Sequence, residues 1–394
     1  MKRIGQGVSA LLAAGILATG LPAPAEKNPT RQKAKAYMLY IGTYTGGKSR
    51  GIYQVRMDAG TGALSGAEYV REAINPSYVV LHPGGKFLYA TNETGEFKGQ
   101  KSGGISAFAI PKDGGPLTLL NTQPSMGGAP CHLSIDRTGK YLLVANYTGG
   151  NVAVLPILPD GKLGPATSTQ QHSGSSINKQ RQQAAYAHSI NLDSANRFAF
   201  VADLGIDKVM IYKFDAKNGA LTPNEPAFAT VPAGGGPRHL SFHPNGRFVY
   251  VNNELTSSVN AFRYDARAGA LTLLQTLSTL PENYVNENNT TAEVLVHPSG
   301  KFLYVSNRVH DSIASFAIDG RSGKLRILGH TPTQGKIPRN FNIDPTGNFL
   351  VVANQDSDSL VVFRIDPATG SLTPTGHQIE VPMPVCIKFL PILQ

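Results

Sequence analysis

A chain of 394 residues is long enough for two or three ordinary domains, and it carries 36 Lys and Arg against 26 Asp and Glu. A 16% charged fraction with 41% hydrophobic residues excludes an intrinsically disordered chain. Half of the net charge of +10 lies in residues 1–36, where six Lys/Arg face one Glu; the rest has no basic helix or aromatic-basic stripe, so no nucleic-acid partner is expected.

In chain order, Lys2 and Arg3 precede an apolar run from Val8 to Leu21 that ends on Ala23-Pro24-Ala25. A basic start, a short apolar stretch and a small-x-small site read as a signal peptide over residues 1–25, with cleavage after Ala25 and a periplasmic or secreted address. The run is short for a membrane span, so none is expected in the mature protein, an uncleaved anchor being the other reading. Lys27, Arg31, Lys33 and Lys35 mark a basic linker over residues 26–36.

From residue 37 to 394 one phrase recurs. It reads MLYIGT from Met38, FLYATN from Phe87, YLLVAN from Tyr141, FAFVAD from Phe198, FVYVNN from Phe248, FLYVSN from Phe302 and FLVVAN from Phe349. Successive starts lie 49, 54, 57, 50, 54 and 47 residues apart, a period near 50 that marks a repeat architecture. Within Pro237–Leu271, HLSFHP leads through the turn Asn245-Gly246-Arg247 to FVYVNN, then SSVNAFRYD, then a fourth run from Ala270. Short apolar runs cut by Gly, Pro, Asn and Asp predict four antiparallel strands per unit. The expected fold is all-β, a seven-bladed β-propeller. The first unit begins at a second strand, and MPVCIKFLP at Met383–Pro391 resembles a lone first strand. Pairing the two chain ends closes the ring and removes two exposed sheet edges.

Cys131 and Cys386 fall on innermost strands of non-adjacent blades, so two buried free thiols are expected. His82, His243 and His297, each before Pro, belong to turns at one end of the channel. At the opposite mouth, the start of each first strand lies beside the end of the second. Strand starts supply Cys131-His132, His188-Ser189, Arg238-His239, Ala292-Glu293 and Arg339-Asn340; strand ends supply Asn253-Glu254 and Asn307-Arg308. The recurring Asn reads as a cap on the blade-to-blade turn. Residues that break the repeat are the better site candidates: His188, Arg238, Glu254, Glu293, Arg308 and Arg339.

Arginines clamp a carboxylate or phosphate through paired hydrogen bonds. A Glu or His acts as general base on water, and an Arg steadies the oxyanion. No nucleophile elbow, phosphate-binding glycine loop, zinc spacing or calcium loop is present, so neither metal nor cofactor is expected. The chemistry suits an activated ester, or proton transfer beside a carboxylate.

The chain resembles the seven-bladed lactonase family typified by the bacterial propeller-type 6-phosphogluconolactonase, which also includes carboxy-muconate lactonizing enzymes. The resemblance runs from YIGTYT at Tyr40 to LTPTG at Leu372, and rests on AHSINLD at Ala187, GPRHLSFHPNGRFVYVNNE at Gly236, TAEVLVHPSGKFLYVSNR at Thr291 and PRNFNIDPTG at Pro338. It implies a lactone hydrolase with His188, Arg238, Glu254 and Arg308 as catalytic residues, Glu254 or His188 being the base. Substrate contacts are placed at His132, His239, Asn253, Glu293, Asn307 and Arg339. The implied partner is a small anionic lactone or sugar acid, phosphorylated, free or carboxylated; a lactonizing enzyme and a non-catalytic binding propeller are the alternatives. Two positions depart from relatives, which often carry His where this chain has Tyr186 and Leu295. A Gln/Ser-rich insertion from Thr167 to Ala184 is either a flap over the mouth or a disordered loop.

Overall fold

Each aromatic-led phrase forms the second strand of a four-stranded antiparallel sheet. A computed structural model describes residues 1, 34–112, 114–284 and 288–392; the expected signal peptide and most of the linker therefore lie outside the described residues. Seven sheets of four strands follow one another, as expected from the repeat. In one of them the order from channel to rim is Pro237–Phe242, Phe248–Asn253, Ser258–Asp265 and Ala270–Ser278. Its second strand is buried at every position, because neighbouring blades cover both faces. Its outermost strand includes solvent-exposed residues such as Thr272 and Leu273.

Ring closure follows the reading of the chain ends. Pro384–Ile392 lies antiparallel to Ala36–Thr43, with Leu39 opposite Phe389 and Ile41 opposite Ile387. Every innermost strand packs on the innermost strand of the next blade. The circle closes where Pro384–Ile392 lies between Pro338–Ile343 and Val79–Leu81.

The repeated aromatic has a specific task between blades. Phe87, Tyr141, Phe198, Phe248 and Phe302 each cover a glycine in the outer turn of the following blade, respectively Gly161, Gly219, Gly269, Gly323 and Gly370. Two residues on, Tyr89, Tyr250 and Tyr304 donate hydroxyl hydrogen bonds to the carbonyls of Gly161, Gly323 and Gly370 at 3.0, 3.0 and 2.9 Å. The turn histidines work in the same direction at the far end of the channel. His243 Nδ1 accepts from the Asn245 amide, leaving Nε2–H to donate to the Gly300 carbonyl at 2.8 Å. His82 and His297 reach Gly139 and Gly347 in the same way. These histidines are turn residues that also bind blade to blade.

Gly323 has φ +75°, and a Cβ there would lie 2.3 Å from Phe248 Cδ1. Gly246 has φ +69° but open space around it. Both alanine variants bear the left-handed backbone cost of about 1–2 kcal/mol. Gly323→Ala additionally displaces the ring, adding about 1–3 kcal/mol. Chemical denaturation is expected to show the larger loss for Gly323→Ala; equal losses would remove the interlocking role of the aromatic.

Both thiols are free and buried, as expected. Cys131 Sγ donates to the His188 carbonyl at 3.2 Å. No helix among the described residues is long and apolar enough to cross a membrane.

Candidate active site at the channel mouth

Innermost strands share an irregularity at their first residues. Pairing registers shift between Pro130 and His132, Ala187 and Ser189, Pro237 and Leu240, Thr291 and Val294, and Pro338 and Asn340. A bulge re-aims side chains that strict alternation would send to opposite faces. Consecutive residues Arg238 and His239, like Arg339 and Asn340, consequently line the same channel.

Glu254 is the centre of the mouth. Its Oε2 accepts from Arg238 Nε at 3.0 Å and lies 3.1 Å from Arg308 Nη2, while its Oε1 accepts from Arg181 Nη2 at 2.7 Å. His188 Nε2 stands 3.9 Å from the same Oε2. All four residues expected to be catalytic are therefore brought together. Arg238 also donates to the Ala292 carbonyl at 2.6 Å, and Arg308 to the Thr291 carbonyl at 3.0 Å. Arg308 Nε has no hydrogen-bond partner among the described residues.

A cavity of about 220 Å³ opens here, bounded by Glu93, His188, Arg181, Glu254, Arg308 and Arg339. Arg339 donates to the Tyr44 hydroxyl at 2.8 Å, and Tyr44 in turn donates to Glu93, which also accepts from Ser77. With Arg238 beneath, four guanidiniums meet two carboxylates, a surplus of positive charge suited to an anion.

Burial, reinforced by Arg238, His239 and Arg339, pulls His188 well below the ordinary histidine value, so its ring is neutral near pH 7. Burial works to raise Glu254, but Arg308, Arg238 and Arg181 outweigh it and hold the carboxyl well below the usual carboxylate range. Burial pushes Arg308 down to about 10 against the pull of Glu254, leaving it cationic at neutral pH.

The remaining expected contacts divide. Arg339 lines the mouth cavity. His239 and Arg238 also bound a narrow waist, and beyond it a second cavity of about 420 Å³ opens toward the turn end. His132, His239 and Glu293 line that second space rather than the mouth. His239 Nδ1 lies 2.8 Å from Glu293 Oε1, whose other oxygen accepts from Asn340 at 2.5 Å. Asn253 and Asn307, expected among the substrate contacts, are placed elsewhere. Asn253 donates to Ser258 Oγ at 2.9 Å, and Asn307 exchanges bonds with Thr279, so both cap blade turns and line neither cavity. Their full burial leaves no surface for a ligand.

Sequence reasoning missed Arg181 and Tyr44, and it left Glu93 and Tyr147 out of the candidates although Asn92-Glu93 and Asn146-Tyr147 stand at strand ends of this mouth. Glu93 was accessible to it, since Asn92-Glu93 occupies the same place in its repeat as Asn253-Glu254. Arg181 has no counterpart because it comes from the expected insertion, whose first part, Ser168–Gln171, is in fact the outermost strand of a blade, and whose remainder reaches the mouth as a flap. Gln182 Nε2 donates to the Leu204 carbonyl at 2.9 Å and to Asp207 at 2.7 Å, and Ser176 donates to Asp207 at 2.5 Å. Tyr186, at one of the two departures, stacks on Tyr147 at 5.0 Å; Leu295, at the other, lines the far cavity. Among the described residues, no group of three or more His, Cys, Asp or Glu is arranged to hold a metal ion.

The family model "Lactonase, 7-bladed beta-propeller" matches residues 38–389. A 6-phosphogluconolactonase of Bacillus subtilis is 38% identical over 354 residues, covering 90% of this chain and 98% of that protein. Another, of Formosa agariphila, is 36% identical over 311 residues, covering 78% and 86%. The solved structure of a periplasmic gluconolactonase from Pseudomonas aeruginosa superposes with a TM-score of 0.83 at 34% identity, over 90% of this chain and 99% of that one. With ring, mouth and near full-length similarity in agreement, the chain belongs to the seven-bladed β-propeller lactonase family.

Proposed function

We propose that this protein is an exported lactone hydrolase that opens a sugar lactone to its aldonic acid. The observation that carries the reading is Glu254, a buried carboxylate receiving three guanidiniums at the edge of a cavity of about 220 Å³, beside a neutral His188. The relatives named for 6-phosphogluconolactone and gluconolactone hydrolysis support the substrate class.

In the proposed reaction, a water within hydrogen-bond reach of both Glu254 Oε2 and His188 Nε2 attacks the lactone carbonyl carbon, a geometry that their 3.9 Å separation permits. Glu254 accepts the proton of that water, and His188 orients it. Arg308 and Arg339 polarise the carbonyl and steady the oxyanion. Collapse breaks the bond from the carbonyl carbon to the ring oxygen, and the proton held by Glu254 passes to that oxygen as it leaves. One water is consumed, giving a hydroxyl and a carboxylic acid. Arg238, tied to Glu254 and to the Ala292 carbonyl, keeps the carboxylate in place.

The neighbouring periplasmic gluconolactonase supports export, and we place the signal cleavage after Ala25. One preparation tests both parts: protein recovered from the periplasm is sized by intact mass, then assayed on phosphorylated, free and carboxylated sugar lactones with spontaneous hydrolysis subtracted. Turnover above background is expected, with Arg308→Ala lowering kcat/KM by about 100-fold or more. Because Glu254 and His188 of the free protein both titrate below their ordinary values, kcat/KM is expected to stay level as pH falls from 8 through the ordinary histidine value of 6.5. A wild type and Arg308→Ala that both match the uncatalysed rate on all three lactones would sink the hydrolase reading.

A further inference from the structure

We propose that Arg181 is a mobile anion-binding arm: it exchanges Glu254 Oε1 for the anionic substituent of the substrate, and its departure frees that carboxylate to act on water. This rests on the hydrolase reading above and extends it to specificity.

The three guanidiniums on Glu254 are not equivalent. Arg238 and Arg308 have side chains 3% and 12% exposed and share Oε2, and each has a backbone carbonyl as a second anchor. Arg181 alone holds Oε1, its side chain is 43% exposed, and its other side-chain partner is the Tyr147 hydroxyl at 3.3 Å. Its backbone is nevertheless fixed: the Arg181 amide donates to Asn178 Oδ1 at 3.0 Å, and the adjoining Gln182 is bound to Leu204 and Asp207. A fixed base with an exposed, exchangeable tip is the arrangement of a ligand-binding arm. A half-exposed ion pair is screened and weak, whereas a phosphate or carboxylate offers a guanidinium two parallel hydrogen bonds.

The exchange has a chemical consequence. Arg238, Arg308 and His188 face Glu254 from the blades, with Arg339 close enough to act through its charge; the Tyr147 hydroxyl and the Cys131 thiol are also close, and burial keeps both neutral. Of the three arginines paired to Glu254, Arg181 is the one outside the blade framework. Its loss leaves Oε1 open to the cavity and gives the carboxylate a higher proton affinity. A neutral lactone offers no anion, so Arg181 stays on Oε1 and its charge keeps Oε2, the oxygen that faces the water and His188, a weaker base. Discrimination in favour of anionic lactones therefore falls on kcat as well as on KM.

The test compares Arg181→Gln and Arg181→Lys with wild type on a phosphorylated sugar lactone and its unphosphorylated counterpart. The ratio of the two kcat/KM values, phosphorylated over free, is expected to fall about 10- to 100-fold in Arg181→Gln and to recover in part in Arg181→Lys. The acid limb of kcat/KM is expected to move to higher pH in Arg181→Gln, since one counter-charge on Glu254 is gone. Calorimetry with inorganic phosphate supplies a readout independent of turnover, with binding about tenfold or more weaker in Arg181→Gln. Equal losses on both lactones, or an unchanged ratio with unchanged phosphate affinity, would overturn the arm. If wild type hydrolyses neither lactone yet binds phosphate through Arg181, the hydrolase reading fails and the arm stands.

Discussion

Glu254→Gln is expected to lower kcat/KM on the preferred lactone by about 100-fold or more, the range for losing a general base. It is also expected to destabilise the ring. The amide keeps the shape of the carboxylate but removes its charge, leaving Arg238 and Arg308 buried with no matching anion. Breaking a buried pair from one side costs about 3–5 kcal/mol, because the remaining charge stays desolvated. The sign of its pH dependence follows from the direction of the shift. A carboxyl held below its ordinary 4.5 contributes stability that is present above that value and is lost as pH falls toward its folded-state pKa. Wild type should therefore be the more stable protein at pH 7 in urea titrations, with the gap narrowing below about pH 4.5. A gap that is constant from pH 7 to pH 3, with activity intact, would remove Glu254 from the centre of the site.

Deleting Pro384–Gln394 is expected to prevent formation of a closed, soluble ring. The deletion removes Val385, Cys386 and Ile387, all buried, and uncovers Leu39, Ile41 and Val79 on the strands they join. Each such apolar side chain is worth about 1.5–3 kcal/mol, so a handful equals the roughly 5–15 kcal/mol by which a folded protein is stable. The strand Ala36–Thr43 would also become a bare sheet edge, open to pairing with another chain. Soluble yield, near-ultraviolet circular dichroism and sedimentation measure the outcome. A monomeric truncated chain with an unchanged near-ultraviolet signal would show that closure is dispensable.

Much of this was legible in the sequence because a propeller repeats one packing problem seven times. The phrase at Phe248 reads FVYVNN because its strand is covered on both sides, and Phe and Tyr recur because each interlocks with a glycine of the next blade. His188, Arg238, Glu254 and Arg308 stood out as departures from a pattern that packing alone would keep uniform. Three things had no signal at the level of the repeat. Arg181 comes from an insertion without a sister copy, so nothing marked it against its Gln-rich neighbours. The bulges turn both Arg238 and His239 into the channel, Arg238 to Glu254 and His239 to Glu293, where a regular strand would send one of the two to the other face. Asn253 and Asn307 sit one residue before Glu254 and Arg308, and only their hydrogen bonds to Ser258 and Thr279 separate a cap from a contact.

The pairing of Ala36 with Ile392 places the covalent break of the chain inside a sheet. Going round the ring, no blade is first: the order of blades is cyclic, and where the polypeptide starts is a choice of where that circle is cut. The mouth residues belong to the blades and to one insertion, none of them to the cut. Joining the ends near Ala36 and Ile392 and opening the chain at another outer turn would give a circular permutant with the same neighbours at every blade. The candidate site is thus a property of the circle rather than of the place where the circle is opened.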